Sequence, residues 1–570
     1  MCAVSESLSE LDVLVVDCQA TGAAPRGHLL EIGWAHCGTT TTPTQARLIA
    51  LPNGERIPPA VKRLTGISER MAQHGVDAQV VWRELSNDAA TLRRQPAPTV
   101  IHFARFETPF LRALAGGAPS LDIVCTHDIA RILLPDLPRR GVRALSGYFG
   151  RGVGTLRRSA DHVEATAFVW RELLRLLDGD GISTWSALQQ WLAVNRATAT
   201  TKRTRRVWPM PRDVRLAVPD APGIYRMLRT SGDVLYVGKA ASLRHRVNSY
   251  FRKQNGMPER TLEMLSQARG ISFDVTPTAL EAALFETDEI KRHRPPYNVA
   301  LTIDDRALWF APANLSTRSP HPTSRCPLGP LPSDEMLDEF TALARADRRA
   351  LGSGRWRPDP DVFDAGYAKL CGAHPELSRQ DLGAHERLLI VGTRLWKQGR
   401  RDHDVDEDED SRVLAAWTPE LVQRSLEWLA LRAALARRRA IWLTRLFEAS
   451  VQWTEPGATG ARLIVIENGE VVRSGEVVRG GEVGHNGEVE PDRMPSIPAG
   501  CACAAQPIPP GYARSVAARR EAFTLERFDR LRVLNTELKR LVAAGAFVEL
   551  RLGVAPPLGG ARLASVLQWV

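Results

Sequence analysis

Apolar positions along this chain follow two periods. Leu11 to Asp17 (LDVLVVD) is an unbroken apolar run ending in a carboxylate, which predicts a buried strand. Thr21-Gly22 supplies a turn, LLEIGWAHC after it predicts a second strand, and Thr99 to His102 predicts another. Helical spacing follows, ending in VEATAFVWRELLRLL. Strands joined through helices predict a mixed α/β sheet. Further on, Ile224–Leu228 and Val234–Val237 flank the turn residues Thr230, Ser231, Gly232 and Asp233, so the pair predicts a hairpin. Leu243, Val247 and Tyr250 then return at helical spacing. Pro419 to Glu448 predicts a long helix or helix pair with Trp428, Leu431, Leu435, Leu443 and Leu446 as core positions, and Glu526–Leu541 predicts an amphipathic helix. Gly-Glu-Val recurs every six residues from Gly469, Gly475, Gly481 and Gly487. Four copies are too few for a solenoid and predict an expanded hairpin loop.

Composition sharpens this picture. The chain has 570 residues, 44% of them hydrophobic, enough for about three or four packed domains. Its net charge of +10 is concentrated, because residues 201–300 hold 18 Lys+Arg against 10 Asp+Glu. Such an excess around one segment is the electrostatic footprint expected on nucleic acid. The eight cysteines show no disulfide framework, and Cys501-Ala-Cys503 lacks a second pair to complete a metal site. No signal peptide opens the chain and no run reaches about 18 apolar residues, so a cytoplasmic protein without membrane partners is expected. Asp402–Asp410 (DHDVDEDED) reads as a disordered acidic loop rather than a metal site.

The basic hairpin is where chemistry gathers. Gly223-Ile224-Tyr225 and Tyr236-Val237-Gly238 take matching places on its two strands, and Lys239, Arg246 and Tyr250 follow. Arg246 and Tyr250 are four apart and share a helix face. Arginine grips phosphate oxygens as a fork and lysine adds a point charge, so the set suits a phosphate. A tyrosine near such cations loses its proton more easily than usual. The stretch resembles the GIY-YIG nuclease family, above all the N-terminal endonuclease domain of UvrC and its shorter relative Cho. The likeness runs on to Glu286 in LEAALFETDEIKRHRPPYN and to Pro295, Pro296, Tyr297 and Asn298. It implies that Glu286 holds one Mg²⁺ or Mn²⁺ ion on the scissile phosphate. It further implies that Tyr236 or Tyr225, with its pKa lowered by Lys239 and the metal, deprotonates the attacking water. Arg246 would steady the charge that develops, Tyr250 would hydrogen-bond within the site, and Asn298 would brace Glu286 or the turn.

The first domain resembles the DEDD exonucleases, the fold of the polymerase proofreading subunit, through VVDCQATG, HLLEIGWA, IPPAVKRLTGI, TVIHFARFETPFL, THDIARILLP and VEATA. The family's catalytic set is altered. Asp17 is followed by Cys18 and Gln19 where the family has Asp-x-Glu, and Glu107 replaces an aspartate. Phe103 stands in place of an asparagine, and Arg157 and His162 in place of a histidine and an aspartate. Two divalent metals need about four carboxylates. Asp17 and Glu107 supply two, so a vestigial exonuclease site is expected, with Asp161 turned away by one helical step.

The fold class expected is α/β multidomain: an N-terminal RNase H-like exonuclease fold, a small central GIY-YIG α/β domain, and a mostly helical C-terminal region with a β-hairpin. The boundaries fall at 1–195, a basic linker 196–212, the nuclease domain 213–305, a UvrC/Cho-like connecting region 306–410, and 411–570. RCPLGPLPS and Leu370-Cys371-Gly372 carry the weak likeness within the connecting region. The resemblance implies a structure-selective endonuclease of nucleotide-excision repair. Damaged duplex DNA would be its substrate and UvrA/UvrB-type proteins its partners. A polymerase-associated 3′–5′ exonuclease and a non-catalytic DNA-damage adaptor are the alternatives.

Overall fold

The apolar run after Leu11 becomes strand β1 (Val13–Ala20), buried at every position but Gln19. The computed structural model describes residues 7–198 apart from Asn53, 207–252, 256–298, 301, 308–331, 335–346, 359–399, 417–477, 483–484 and 524–568. The acidic run, Cys501-Ala-Cys503, residues 199–206 of the basic linker and the last copy of the hexapeptide lie outside these residues.

Contacts divide the chain into two units, residues 1–282 with 293–298, and residues 283–292 with 299–570. In the first unit, β2 (Leu29–Cys37), β3 (Gln45–Leu48), α1 (Pro59–Thr65), α2 (Glu69–Gln73) and α3 (Ala78–Ala90) follow β1. Next come β4 (Ala97–Ile101), α4 (Ala104–Ala115), β5 (Leu121–Cys125), α5 (Thr126–Leu133), α6 (Val142–Tyr148), α7 (Ser159–Gly179) and α8 (Trp185–Thr198). The five strands form one mixed sheet in the order β3-β2-β1-β4-β5. β1 pairs antiparallel with β2 and parallel with β4, which in turn pairs parallel with β5. Alternate residues of β1 enter different cores. Val13 and Val15 pack with Trp170, Leu173 and Trp185 from α7 and α8, and Leu14 and Val16 pack with Val81, Leu85 and Leu111 from α3 and α4. A sheet covered on both faces explains why its central strand reads as continuous hydrophobic sequence. This is the expected mixed α/β exonuclease-type fold.

The same unit continues with α9 (Arg212–Leu216), β6 (Gly223–Leu228), β7 (Val234–Ala240), α10 (Leu243–Arg252), α11 (Glu259–Gln267), β8 (Gly270–Val275) and α12 (Ala279–His293), whose middle belongs to the second unit. The predicted hairpin is β6 and β7, and β8 joins as a third antiparallel strand in the order β7-β6-β8. Tyr225, Met227, Leu235, Leu243, Val247 and Leu265 form the core of this small α/β domain.

In the second unit the predicted helix is one continuous element, Pro419–Leu446, started by Thr418, whose side chain accepts from the Leu421 amide. Trp428 is only half-buried, with Arg432 stacked 4.4 Å over its ring, while Leu431, Leu435, Leu443 and Leu446 are core. A hairpin is present as Ala461–Glu467 and Glu470–Val477, turning at Asn468 and Gly469, both at positive φ, but the first two copies of the repeat lie largely in its second strand rather than in an expanded loop. It belongs to a six-stranded antiparallel sheet, which strands flanking the helix Leu525–Ala543 complete. Among the described residues, no helix is long and apolar enough to cross a membrane.

Candidate active site

Strand register brings the tyrosines together. Tyr225 lies opposite Gly238 and Met227 opposite Tyr236, so both phenols stand on one face of the β6–β7 pair. Tyr250 reaches them from α10. The three ring centroids lie 6.1 to 6.5 Å apart, and the hydroxyls of Tyr225 and Tyr250 share a 2.9 Å hydrogen bond. The glycines of the motif are steric requirements. A Cβ on Gly238 would lie 2.5 Å from the Tyr225 hydroxyl and 2.8 Å from the Tyr236 ring. A Cβ on Gly223 would strike the Asp274 carbonyl of the neighbouring strand.

Electrostatics separates the two strand tyrosines. Tyr225 is fully buried, and burial followed by the Tyr250 and Tyr236 phenols pushes its pKa well above the usual range. The lowered pKa expected of a tyrosine near these cations is not found at Tyr225: burial outweighs the Arg246 guanidinium, which acts in the opposite direction. Tyr236 is half-buried. Arg246 stacks 5.1 Å over the Tyr250 ring; burial opposes its charge, but the oxygens of Tyr225 and Tyr250 outweigh that and raise its pKa. Lys239 lies near the end of β7, in register with Ile224 and half-buried.

Asn298 is hydrogen-bonded to strand β7. Its amide clamps the backbone of Val237, accepting from the Val237 amide and donating to the Val237 carbonyl, each at 2.9 Å. The Tyr297 amide donates to the Leu235 carbonyl at 3.1 Å. The open edge of β7 is thus paired by a side-chain amide and one backbone group, which mimic a further strand. This brace acts on the strand that carries Tyr236.

Glu286 stands half-buried on α12. Within the second unit this helix is gripped by two ion pairs, Lys291 with the buried Asp529 at 3.1 Å and Arg530 with Asp288 at 2.6 Å. Among the described residues, no group of three or more His, Cys, Asp or Glu could enclose a metal ion. A single accessible carboxylate fits a hard ion such as Mg²⁺, which keeps most of its waters and takes its remaining oxygens from phosphate.

The exonuclease-type pocket holds buried acids. Asp17 accepts a hydrogen bond from the Gln19 amide at 2.9 Å and lies 3.5 Å from His162 Nδ1. Burial raises its pKa despite His162. Glu107 is 3% exposed, and its Oε2 has no hydrogen-bond partner among the described residues. Burial, followed by the Asp17 charge, pushes its pKa well above the carboxylate range. Asp161 is used elsewhere, accepting from the Arg157 and Arg158 amides at 3.1 and 3.0 Å as it caps α7. Glu31 is bound by Arg158 Nε at 3.0 Å and by the Ser159 amide at 2.8 Å. Arg157 itself is exposed. Sequence reasoning did not foresee the caps on Asp161 and Glu31, because an Arg-Arg-Ser run gives no sign of which carboxylate it will hold.

Residues 221–299 match the family model of the UvrC-like GIY-YIG domain. A Mycobacterium tuberculosis protein named as a bifunctional exonuclease/endonuclease is 30% identical over 322 residues, which are 54% of this chain and 47% of that protein. The UvrABC system protein C of Legionella pneumophila is 54% identical over 88 residues, 15% of this chain and 14% of its own. Among solved structures, the magnesium-bound N-terminal endonuclease domain of Thermotoga maritima UvrC is 31% identical; the match covers 16% of this chain and 100% of that domain at a TM-score of 0.15. Exonuclease X in complex with 5′ overhanging duplex DNA is 19% identical, covering 30% of this chain and 93% of its own at a TM-score of 0.23. The chain spans about half the length of the mycobacterial relative and a smaller share of the UvrC proteins.

Proposed function

We propose that this chain, which carries a UvrC-like GIY-YIG domain at residues 221–299, is a metal-dependent DNA endonuclease that incises damaged duplex in excision repair. The observation that carries this reading is the convergence of three phenols and the Arg246 guanidinium on one face of a hairpin, in the register that the two signature tripeptides require. In this reading Tyr236, the accessible strand phenol, accepts the proton of the attacking water. Tyr225, buried and bonded to Tyr250, holds the phenol cluster in place. Arg246 and Lys239 bind the scissile phosphate and offset the charge that builds as the water oxygen attacks phosphorus. Asn298 keeps β7, and so Tyr236, in register. Glu286 would hold the ion, Mg²⁺ or Mn²⁺, which when bound supplies positive charge to the phosphate and the leaving oxygen.

The exonuclease-fold domain is read as a scaffold kept without its hydrolysis. The name of the mycobacterial relative favours a second reading, in which that domain still shortens DNA ends. Gln19 and His162, standing where the family has carboxylates, argue against it. One experiment addresses both readings and the adaptor alternative. The purified chain is given a lesion-bearing duplex and a labelled 3′ single-stranded end in Mg²⁺ or Mn²⁺, with and without UvrA- and UvrB-type proteins. Nicking without end shortening is the expected result. No nicking under any condition would sink the endonuclease reading, and end shortening that Asp17→Ala abolishes would establish the second.

A further inference from the structure

Helix α6 of the exonuclease-type domain packs on α11 of the nuclease domain, and the contact is polar and closely fitted. Gly147 on α6 faces the Gln267 side chain so directly that any Cβ would overlap it. Arg143, one turn earlier, places Nη1 3.3 Å from Glu263 and its guanidinium 4.8 Å over the Tyr297 ring. The Tyr297 hydroxyl donates to Glu263 at 2.6 Å and receives the Gln267 amide. Gln267 is held in turn by the buried Arg229, whose Nε and Nη2 donate to it at 3.2 and 3.1 Å. Tyr297 is one residue from Asn298, the clamp on the edge of β7.

We propose that Arg143 is a positioning residue for the endonuclease centre: through Glu263 and Tyr297 it fixes the segment 295–298, whose Asn298 holds β7 and Tyr236 in place. The proposal rests on the endonuclease reading for its effect on catalysis, though not for its effect on structure. A two-point amide clamp orders a strand edge only as well as the clamp is itself held. Tyr297 is held by a ring stack on one side and by Glu263 and Gln267 at its hydroxyl. Arg143 is the member of this set that comes from the other domain. A fold that has lost its acids would then keep a use, because its α6 completes the support of the neighbouring centre.

The test uses the full-length chain with Arg143→Ala and Arg143→Lys. Hydrogen exchange is followed in peptides covering β7 and 295–298, alongside steady-state incision. Arg143→Ala is expected to speed exchange at the Val237 and Tyr297 amides, leave the amides shared between β6 and β8 unchanged, and lower kcat about tenfold at constant KM. Arg143→Lys, which keeps the charge near Glu263 but loses the planar stack, is expected to fall between wild type and Ala on both measures. Unchanged exchange at Val237 and Tyr297 in Arg143→Ala would overturn the proposal, as would a rise in KM alone. Should Arg143→Ala fail to fold, the same two outcomes are read on Arg143→Lys. Faster exchange in a chain whose wild type nicks no DNA would instead uphold the mechanical link and defeat the endonuclease reading.

Discussion

At the end of β1, Asp17 and Glu107 are sealed from water. One is tied to Gln19 and His162, and the other has an oxygen with no hydrogen-bond partner among the described residues. On the β6–β7 hairpin the opposite arrangement holds. Tyr236 is half-buried, and Arg246 is stacked on Tyr250 with its charge favoured by the phenol oxygens. Both sites contain residues that could serve hydrolysis, and they differ in what burial does to them. Desolvation raises the pKa of both acids of the first site. In the second, the charge of Arg246 is favoured and Tyr236 and Lys239 stay only half-buried. Residue identity alone therefore does not make a nuclease site; the dielectric around each group decides whether it carries charge.

The comparison breaks most sharply at Glu286. Glu286→Gln should lower incision by roughly a thousandfold or more, since several kcal/mol of charge stabilisation leaves with the ion. DNA binding, measured by fluorescence anisotropy, should stay near wild type. Incision that survives this change would remove Glu286 from the metal site. Next in size is the separation of the strand tyrosines. Tyr236→Phe should cost about a hundredfold or more in kcat as the base is lost, and Tyr225→Phe should cost clearly less. Wild-type incision should rise with pH until the base has ionised, and Tyr236→Phe should flatten that rise. The reverse order of severity between the two variants would make Tyr225 the base despite its burial.

At the exonuclease-type pocket smaller effects are expected. Asp17→Ala should leave incision at the other centre unchanged and should reveal no lost 3′-end degradation in Mg²⁺ or Mn²⁺. The smallest effect is on stability. Glu107 has its folded pKa raised, so the native chain binds a proton that the unfolded chain has released. The stability tied to this group is fully present below the ordinary glutamate value of about 4.3 and is lost as pH rises toward the folded pKa. Glu107→Gln should therefore raise the Tm at neutral pH and leave it nearly unchanged at pH ~4. A lower Tm at neutral pH would mean that the Glu107 carboxylate is charged and paired.

Much of the site was legible because it is local. Gly223 to Tyr250 forms a hairpin and a helix, in which alternation and the i, i+4 rule fix which side chains share a face. The altered carboxylate set was legible as substitutions; that Asp161 and Glu31 are held by a cap and by Arg158 was not. The target of Asn298 was not legible. Several backbone groups were within reach of the turn, and only the packed edge of β7 selected Val237. The six-stranded sheet of the second unit was read only as its hairpin, because the strand Ala449–Thr454 follows a long helix directly and its partner Phe547–Leu552 lies far along the chain.

The sequence by itself determined the elements and the chemistry-bearing groups: the buried strand at Val13, the glycines of the hairpin, the phenols, Arg246 and Glu286. These follow from periods of two and 3.6 residues and from side-chain identity, which act over a few neighbours. Tertiary structure alone decided which phenol is sealed from water, which carboxylates are buried, and that Arg143 of one domain stacks on Tyr297 of the other. Burial and long-range pairing depend on which surfaces meet, and no local pattern carries that information. Ionisation follows burial, so the charge state of each site was decided in three dimensions.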